Sequence, residues 1–120
     1  MIIPGIDIVL ISRMAKSLEN PAFILKAFGQ EEIAEQTARG SKPQGYAACF
    51  AAKEAFGKAL STGVSGFALK EVQLLHRENG APYLSLDGAA RRIAVEKNAA
   101  FSVSISHDGD YAAAVVIMEF

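Results

Sequence analysis

The stretch FAAKEAFGKAL, residues 50–60, predicts the helix around which the rest of the chain is organised. It is rich in alanine and other strong helix formers, and only three of its positions carry charge, so such a helix can bury most of its circumference. Glu54 and Lys58 lie four residues apart, which places both on one face of the helix. An exposed ion pair at this spacing is common and stabilises a helix by only about 0.2–0.5 kcal/mol. The pair alone therefore does not indicate a functional site.

A second carboxylate, Asp7, stands in the aliphatic run GIDIVLI, residues 5–11. The β-branched content predicts a buried strand over residues 2–11, and an ionised acid in such a strand needs a cation or hydrogen-bond donors. Two carboxylates from separate elements and a lysine are a usual means of holding a hard divalent ion, commonly Mg²⁺, against a phosphate-bearing substrate. Asp7, Glu54 and Lys58 are therefore candidate site residues.

The remaining pattern predicts an α+β fold with mostly antiparallel strands packed by the long central helix. We expect Ser12 to cap a helix that begins at Arg13, and Asp87 to cap a helix over residues 88–97. A helix over residues 30–38 should expose its acids, and His76 should be solvated. The further expected helical turn lies at 23–28, and the further expected strands lie at 69–77, 83–86, 101–106 and 111–118, with a hairpin turn at 78–82.

Composition limits the class of protein. A length of 120 residues with 51% hydrophobic side chains predicts one domain, residues 1–120, with a substantial core. Twelve Lys and Arg against thirteen Asp and Glu, without a basic cluster, argue against a nucleic-acid partner. The single cysteine, Cys49, fits a reducing compartment, and the apolar N-terminal stretch is too short to span a bilayer. We therefore expect a cytoplasmic protein with no membrane partner.

Four motifs in the sequence resemble those of a known family. The motifs, in chain order, are Gly5-Ile6-Asp7-Ile8-Val9, then Phe50-Ala51-Ala52-Lys53-Glu54-Ala55 with Lys58-Ala59-Leu60 and Thr62-Gly63, then Asn79-Gly80-Ala81-Pro82, and finally Val103-Ser104-Ile105-Ser106-His107 with Tyr111-Ala112. In this order, and over essentially the whole chain, they resemble the holo-[acyl-carrier-protein] synthases, the short bacterial type of 4′-phosphopantetheinyl transferase. The resemblance implies transfer of 4′-phosphopantetheine from coenzyme A to a serine of apo acyl carrier protein, with release of adenosine 3′,5′-bisphosphate.

The resemblance also implies roles for individual residues. Asp7 and Glu54 would hold Mg²⁺ on the coenzyme A pyrophosphate, and Lys58 would contact phosphate and act with Glu54 in catalysis. The general base stays open between Glu54, Lys58 and a magnesium-bound water. The implied coenzyme-binding residues are Phe50, Lys58, Thr62, Gly63, Asn79, Gly80, Pro82, Ser106 and His107, with the turn at 79–82 against the adenine.

The partner implied by the resemblance is an acidic carrier protein, docked by Arg13 and Lys16 on the first helix, with Lys26 as support. The sequence departs from the family pattern along the first helix, where Glu19 and Asn20 stand at positions that often carry positive charge. It also departs where Leu10 replaces a frequent glutamate and Cys49 replaces a frequent arginine. Lys42 is the candidate to replace the phosphate contact of that missing arginine. The resemblance further implies a homotrimer whose active sites lie between adjacent subunits.

Two alternatives stay open from the sequence. One is a transferase that acts on the carrier domain of a polyketide or fatty-acid synthase, which only a panel of carriers would distinguish. The other is a coenzyme A or nucleotide-binding subunit without transfer activity, in which the departures at Cys49 and along the first helix are disabling.

Overall fold

The structure is a computed structural model that describes residues 1–120, and its secondary structure follows the predicted order closely. The five strands are β1 (Ile2–Leu10), β2 (Val72–His76), β3 (Pro82–Leu86), β4 (Ala100–Asp108) and β5 (Tyr111–Glu119). The five helices are α1 (Ile11–Ser17), α2 (Pro21–Ala27), α3 (Gln30–Ala38), α4 (Pro43–Ala59) and α5 (Gly88–Glu96), and a 3₁₀ helix spans Leu69–Glu71. No helix is both long enough and apolar enough to cross a membrane.

The long helix α4 packs against a three-stranded antiparallel sheet of order β1-β5-β4. β2 and β3 form a separate antiparallel hairpin. The alanines of α4 are buried and line up against the buried small residues of β5, Ala112 and Ala114. Small side chains on both surfaces let the helix and the sheet approach closely, which confirms the expected α+β fold with a central helix.

Gly5 is the point of closest approach between β1 and α4. A Cβ atom added to Gly5 would overlap the backbone carbonyl oxygen of Ala55 and lie 2.6 Å from the backbone nitrogen of Ala59. The strand therefore rests on the helix backbone itself. Because Asp7 follows two residues later on the same face of the strand, this contact carries Asp7 toward α4.

The expectation that the acids of α3 are exposed is wrong for Glu35, whose side chain is only 24% exposed, and most clearly wrong for Glu32. This side chain is fully buried, and its carboxylate accepts hydrogen bonds from Lys53 Nζ at 2.6 Å and from the Leu74 backbone N–H at 2.8 Å. Lys53 is also fully buried and donates to the carbonyl oxygen of Val72 at 2.5 Å. Burial lowers the pKa of Lys53, and the charge of Glu32 opposes that shift. The pair joins α3, α4 and β2.

Two of the expected helix caps are also wrong. α1 begins at Ile11, so Ser12 lies inside its first turn, and the Ser12 hydroxyl instead donates to Asp110 at 2.6 Å. Asp87 stands at the N-cap position of α5 without a side-chain capping bond, because Glu71 accepts from the Ala89 backbone N–H at 3.0 Å.

Two further expectations about the segment 69–77 are wrong. The strand starts only at Val72, because residues 69–71 form the 3₁₀ turn. His76 is not solvated: its Nδ1 atom lies 2.8 Å from Glu35 Oε2, and its backbone N–H donates to Glu35 Oε1 at 2.9 Å. Glu35 therefore ties α3 to the end of β2.

Candidate active site

Asp7, Glu54 and Lys58 converge at the junction of β1 and α4. Lys58 Nζ lies 3.1 Å from Asp7 Oδ1, and the Lys58 side chain is 53% exposed while that of Asp7 is 18% exposed. Glu54 projects from α4 one turn before Lys58 and is half-buried. The residues that the sequence predicts as the centre of the site are thus brought together by the close packing of strand on helix.

The electrostatics of Glu54 reflect this convergence. Burial raises the pKa of the Glu54 carboxyl, the nearby negative charge of Asp7 raises it further, and the positive charge of Lys58 opposes both. Two carboxylates held close together repel each other unless a cation lies between them. This arrangement is suited to a bound cation.

No group of three or more His, Cys, Asp or Glu side chains in the structure is arranged to hold a metal ion. Asp7 and Glu54 therefore supply two carboxylates only. Mg²⁺ is usually bound in this way, by one or two protein carboxylates with substrate phosphates and waters completing its oxygen shell. The donor set fits a magnesium ion that arrives with, or is completed by, a phosphate-bearing substrate.

A cavity of about 480 Å³ opens beside these carboxylates. Asp7 and Glu54 form its acidic part, Phe50 lies on its wall, and the exposed Arg13 stands at its edge. Its other lining residues are mainly apolar: Ile8, Val9, Leu10, Met14, Ser17, Phe23 and Tyr111. α1 contributes Arg13, Met14 and Ser17 to this lining, so a molecule bound in the cavity would contact α1.

A second cavity, of about 410 Å³, is basic and has no hydrophobic side chain in its lining. Arg39, Lys42 and His107 bring their side chains to it from the end of α3, the loop before α4 and the end of β4. Gln36, Gln44 and Gly45 complete the lining. Two permanent cations and a histidine are the donors expected around a phosphate group. Sequence reasoning identified His107 and Lys42 but missed Arg39, which lies in a loop segment with no motif.

The other predicted coenzyme-binding residues line neither of these cavities. Asn79, Gly80 and Pro82 form the β2–β3 turn, where Gly80 has a φ of +88° and Asn79 Oδ1 accepts from the Ala81 N–H at 3.0 Å. Thr62 and Gly63 follow the end of α4, where the Thr62 hydroxyl donates to the Gly63 carbonyl at 3.1 Å.

Ser106 and Lys16 also lie outside both cavities. Ser106 is exposed on the face of the sheet opposite α4, in register with Ala113 of β5. Lys16 is exposed on the last turn of α1. Cys49 is fully buried, and burial raises its pKa well above the usual value, so the thiol stays protonated.

Comparison with known proteins gives a family for this arrangement. The family model described as the 4′-phosphopantetheinyl transferase superfamily matches residues 4–116. A holo-[acyl-carrier-protein] synthase of Treponema denticola is 42% identical over 118 residues, which cover 96% of this chain and 95% of the relative. One from Alkaliphilus metalliredigens is 42% identical over 115 residues, covering 94% of each chain.

Solved structures agree with the sequence matches. The crystal structure of the holo-[acyl-carrier-protein] synthase of Neisseria meningitidis superposes with a TM-score of 0.92 at 30% identity over all of both chains. The Helicobacter pylori enzyme, solved in complex with coenzyme A, has a TM-score of 0.84 at 31% identity and covers 99% of this chain and 100% of that one. By sequence and by fold, this chain belongs to the holo-[acyl-carrier-protein] synthases of the 4′-phosphopantetheinyl transferase superfamily.

Proposed function

We propose that this protein transfers the 4′-phosphopantetheine group of coenzyme A to a serine of apo acyl carrier protein in a magnesium-dependent reaction. The serine oxygen forms a bond to the phosphorus that carries pantetheine, and the bond from that phosphorus to the bridging pyrophosphate oxygen breaks. Adenosine 3′,5′-bisphosphate leaves, and the serine loses its proton. The observation that carries the proposal is the convergence of Asp7, Glu54 and Lys58 beside a cavity in a chain of this family.

Asp7 and Glu54 would hold the Mg²⁺ ion through carboxylate oxygens. When bound, such an ion neutralises charge that develops on the pyrophosphate and orients the reacting groups. The raised pKa of Glu54 is consistent with this role, since a cation would relieve the repulsion from Asp7. The hydrogen bond between Lys58 and Asp7 keeps the ammonium group at the same place while leaving it half exposed.

Lys58 is positioned to contact a phosphate oxygen, where its fixed positive charge would stabilise the transition state. An incoming serine hydroxyl would give its proton to Glu54, directly or through a magnesium-bound water, or to Lys58 only if Lys58 were uncharged, in which form it could not also stabilise phosphate charge. Burial and the charge of Asp7 raise the proton affinity of Glu54, and this favours Glu54 as the general base.

The basic cavity of Arg39, Lys42 and His107 is our proposed site for a coenzyme phosphate. Its two permanent positive charges come from Arg39 and Lys42, so it does not depend on an arginine at position 49. The buried Cys49 could not present a phosphate ligand, and Lys42 supplies positive charge nearby in the chain. The β2–β3 turn with Asn79, Gly80 and Pro82 would contact the adenine, and Phe50, Thr62, Gly63 and Ser106 would complete the coenzyme site.

The carrier protein would dock on α1. Arg13 and Lys16 are exposed on this helix, and Lys26 is exposed on α2. Arg13 also lines the cavity that holds Asp7 and Glu54, which joins the docking surface to the reacting centre. Positive charge here would attract an acidic carrier and fix the approach of its serine.

We also propose that the protein is a homotrimer joined through the sheet face that α4 leaves uncovered. Ile2, Ile6 and Ile8 of β1 are 62–65% exposed on this face, and Val115 and Ile117 of β5 lie between β1 and the serines of β4. Large exposed apolar surfaces usually mark an interface. Ile6, Ile8 and Ala113 share a small cavity with Asp7 and Lys58, so a second copy seated there would border the active site.

The direct test is the intact mass of an apo acyl carrier protein incubated with this protein, coenzyme A and Mg²⁺. We expect a gain of one phosphopantetheine, abolished by a chelator and reduced on the order of 10²-fold or more in rate by Glu54→Gln. Glu96→Gln is the matched control, because Glu96 is an exposed acid at the end of α5. No mass gain from a folded protein that binds coenzyme A would overturn the transferase and leave a binding protein. A panel of synthase carrier domains would test the choice of carrier.

A further inference from the structure

α1 has no residue of its own that caps its N-terminus. The N-cap position is Leu10, which has no side-chain acceptor, and the first turn contains no acidic residue. A seven-residue helix is marginal without tertiary support, because few backbone bonds offset the cost of forming its first turn. The orientation of α1 must therefore be fixed by other parts of the chain.

Asp110, from the turn between β4 and β5, supplies the missing cap. Its carboxylate accepts from the Ser12 backbone N–H at 3.0 Å and from the Ser12 hydroxyl at 2.6 Å. Its backbone carbonyl accepts from the Ile11 N–H at 2.8 Å. Three hydrogen bonds thus join a residue near the end of the chain to the first turn of α1.

Strand register explains why Asp110 meets this turn. Leu10 pairs with Tyr111 at the end of the β1–β5 ladder, so Ile11, the first residue after β1, falls opposite Asp110. The turn itself has only two residues, Gly109 and Asp110, and Gly109 has the positive φ, +58°, that a two-residue hairpin turn with glycine first requires.

We infer that Asp110 is a positioning residue that holds α1, and with it Arg13, in the orientation needed to receive the carrier protein. Arg13 follows Ser12 directly and lines the same cavity as Tyr111, the neighbour of Asp110. A loosened first turn would let Arg13 swing away from that cavity while Asp7, Glu54 and the coenzyme site stay in place. The inference rests on the proposed function, because it assigns Asp110 to carrier recognition.

Replacing Asp110 should change carrier binding in two opposite directions, one through charge and one through the helix cap. Asp110 is exposed and negative, so loss of its charge near the docking helix would, by long-range electrostatics alone, improve attraction of an acidic carrier. Loss of the cap should instead weaken carrier recognition. The two effects oppose each other, and a KM measurement separates them.

The experiment compares steady-state KM values for apo acyl carrier protein and for coenzyme A. We expect Asp110→Ala to raise the KM for the carrier about fivefold, the size of effect typical of a lost helix cap, with the KM for coenzyme A unchanged. Asp110→Asn should raise the KM for the carrier much less than Asp110→Ala does, since an amide oxygen can still accept a hydrogen bond from Ser12. Glu96→Gln removes a charge from the end of α5, away from Ser12 and outside both cavities, and should leave both KM values unchanged.

Hydrogen exchange gives a readout that does not depend on transfer activity. Asp110→Ala should speed exchange of the Ser12 and Arg13 amides relative to those of α4. Ser12→Ala is the fallback variant if Asp110→Ala does not fold. It removes only the hydroxyl bond to Asp110 and should speed exchange of these amides to a smaller degree. An unchanged or lower carrier KM, a matching rise in the KM for coenzyme A, or unaltered exchange would overturn the inference. Absence of transfer by the unmodified protein would instead count against the proposed function.

Discussion

Glu54 is held half-buried between a carboxylate and an ammonium group, and its protonation is the property most sensitive to what binds nearby. Burial and Asp7 raise its pKa in the protein without metal, so its proton affinity exceeds that in the unfolded chain. Ionised Glu54 therefore costs stability once pH rises above the unfolded pKa, and the full cost is reached above the folded one. A bound cation would remove the source of that cost.

The raised pKa of Glu54 should affect both magnesium binding and thermal stability. Affinity for Mg²⁺ should fall as pH drops from neutral through the raised pKa of Glu54, because the protonated carboxyl is a poor ligand. Glu54→Gln should melt a few degrees higher than the unmodified protein at neutral pH without metal, and should gain nothing from Mg²⁺. Thermal melting with and without Mg²⁺ at several pH values checks both; a melting temperature lowered by the substitution would contradict the electrostatic account. Glu96→Gln again serves as the control.

Residue by residue, the sequence was informative where local spacing decides geometry. Glu54 and Lys58 share a helix face because they are four residues apart, and Asp7 stands out as the one acid in an aliphatic strand. It was not informative for Glu32, because three acids in one short helix look alike until the partner is known. The partner is Lys53 on another helix, and this long-range pairing leaves no trace in the local pattern. Arg39 was missed for the same reason, since the basic cavity forms only when α3, α4 and β4 meet.

At the scale of elements, the packing of β1 on α4 sets the separation of the two carboxylates. Gly5 allows this packing, because any side chain there would meet the helix backbone, which cannot move aside as a side chain does. The distance between Asp7 and Glu54 is thus fixed by backbone contact. The helix and the strand were both predicted from sequence, whereas this contact needed the structure.

Gly5→Ala should therefore affect both stability and activity. We expect a loss of about 1–3 kcal/mol in the free energy of unfolding, as is typical of overpacked cores. Transfer should slow further than this loss explains at temperatures where the variant is fully folded, because β1 must shift and carry Asp7 with it. Urea unfolding and the mass assay measure the two effects. Val95→Ala, at an exposed position of α5 outside the proposed trimer face, is the control, and equal effects of both substitutions would exclude a special role for the contact.

The residues at the starts of α1 and α5 show why the predicted helix caps were wrong. Ser12 and Asp87 are good capping residues by type, and sequence alone favours them. In the structure Asp110 takes the role at α1, and at α5 the Glu71 carboxylate accepts the first-turn bond from Ala89. Both acceptors come from distant parts of the chain, so tertiary contacts overrode a correct local preference.

At the scale of the whole molecule, the uncovered sheet face should decide oligomeric state. We expect the protein to sediment as a trimer and Ile6→Lys to shift it toward monomer, because a buried ammonium group at the centre of an apolar interface is strongly unfavourable. Val95→Lys is a matched control: Val95 is 71% exposed but lies on α5, away from this face. Sedimentation equilibrium distinguishes the species. A monomeric unmodified protein would overturn the trimer, and a similar effect of both substitutions would show that the interface lies elsewhere.

The position of β1 in the sheet has a consequence for how the chain is made. β1 pairs only with β5, and the ladder runs from Ile2 opposite Glu119 to Leu10 opposite Tyr111. At the pace of a ribosome, roughly 5–20 s separate the synthesis of these two strands. Throughout that interval an apolar strand with no backbone partner is present on the nascent chain, which makes it a natural target for chaperones. Asp7 therefore gains its backbone partner strand only after β5 has been synthesised.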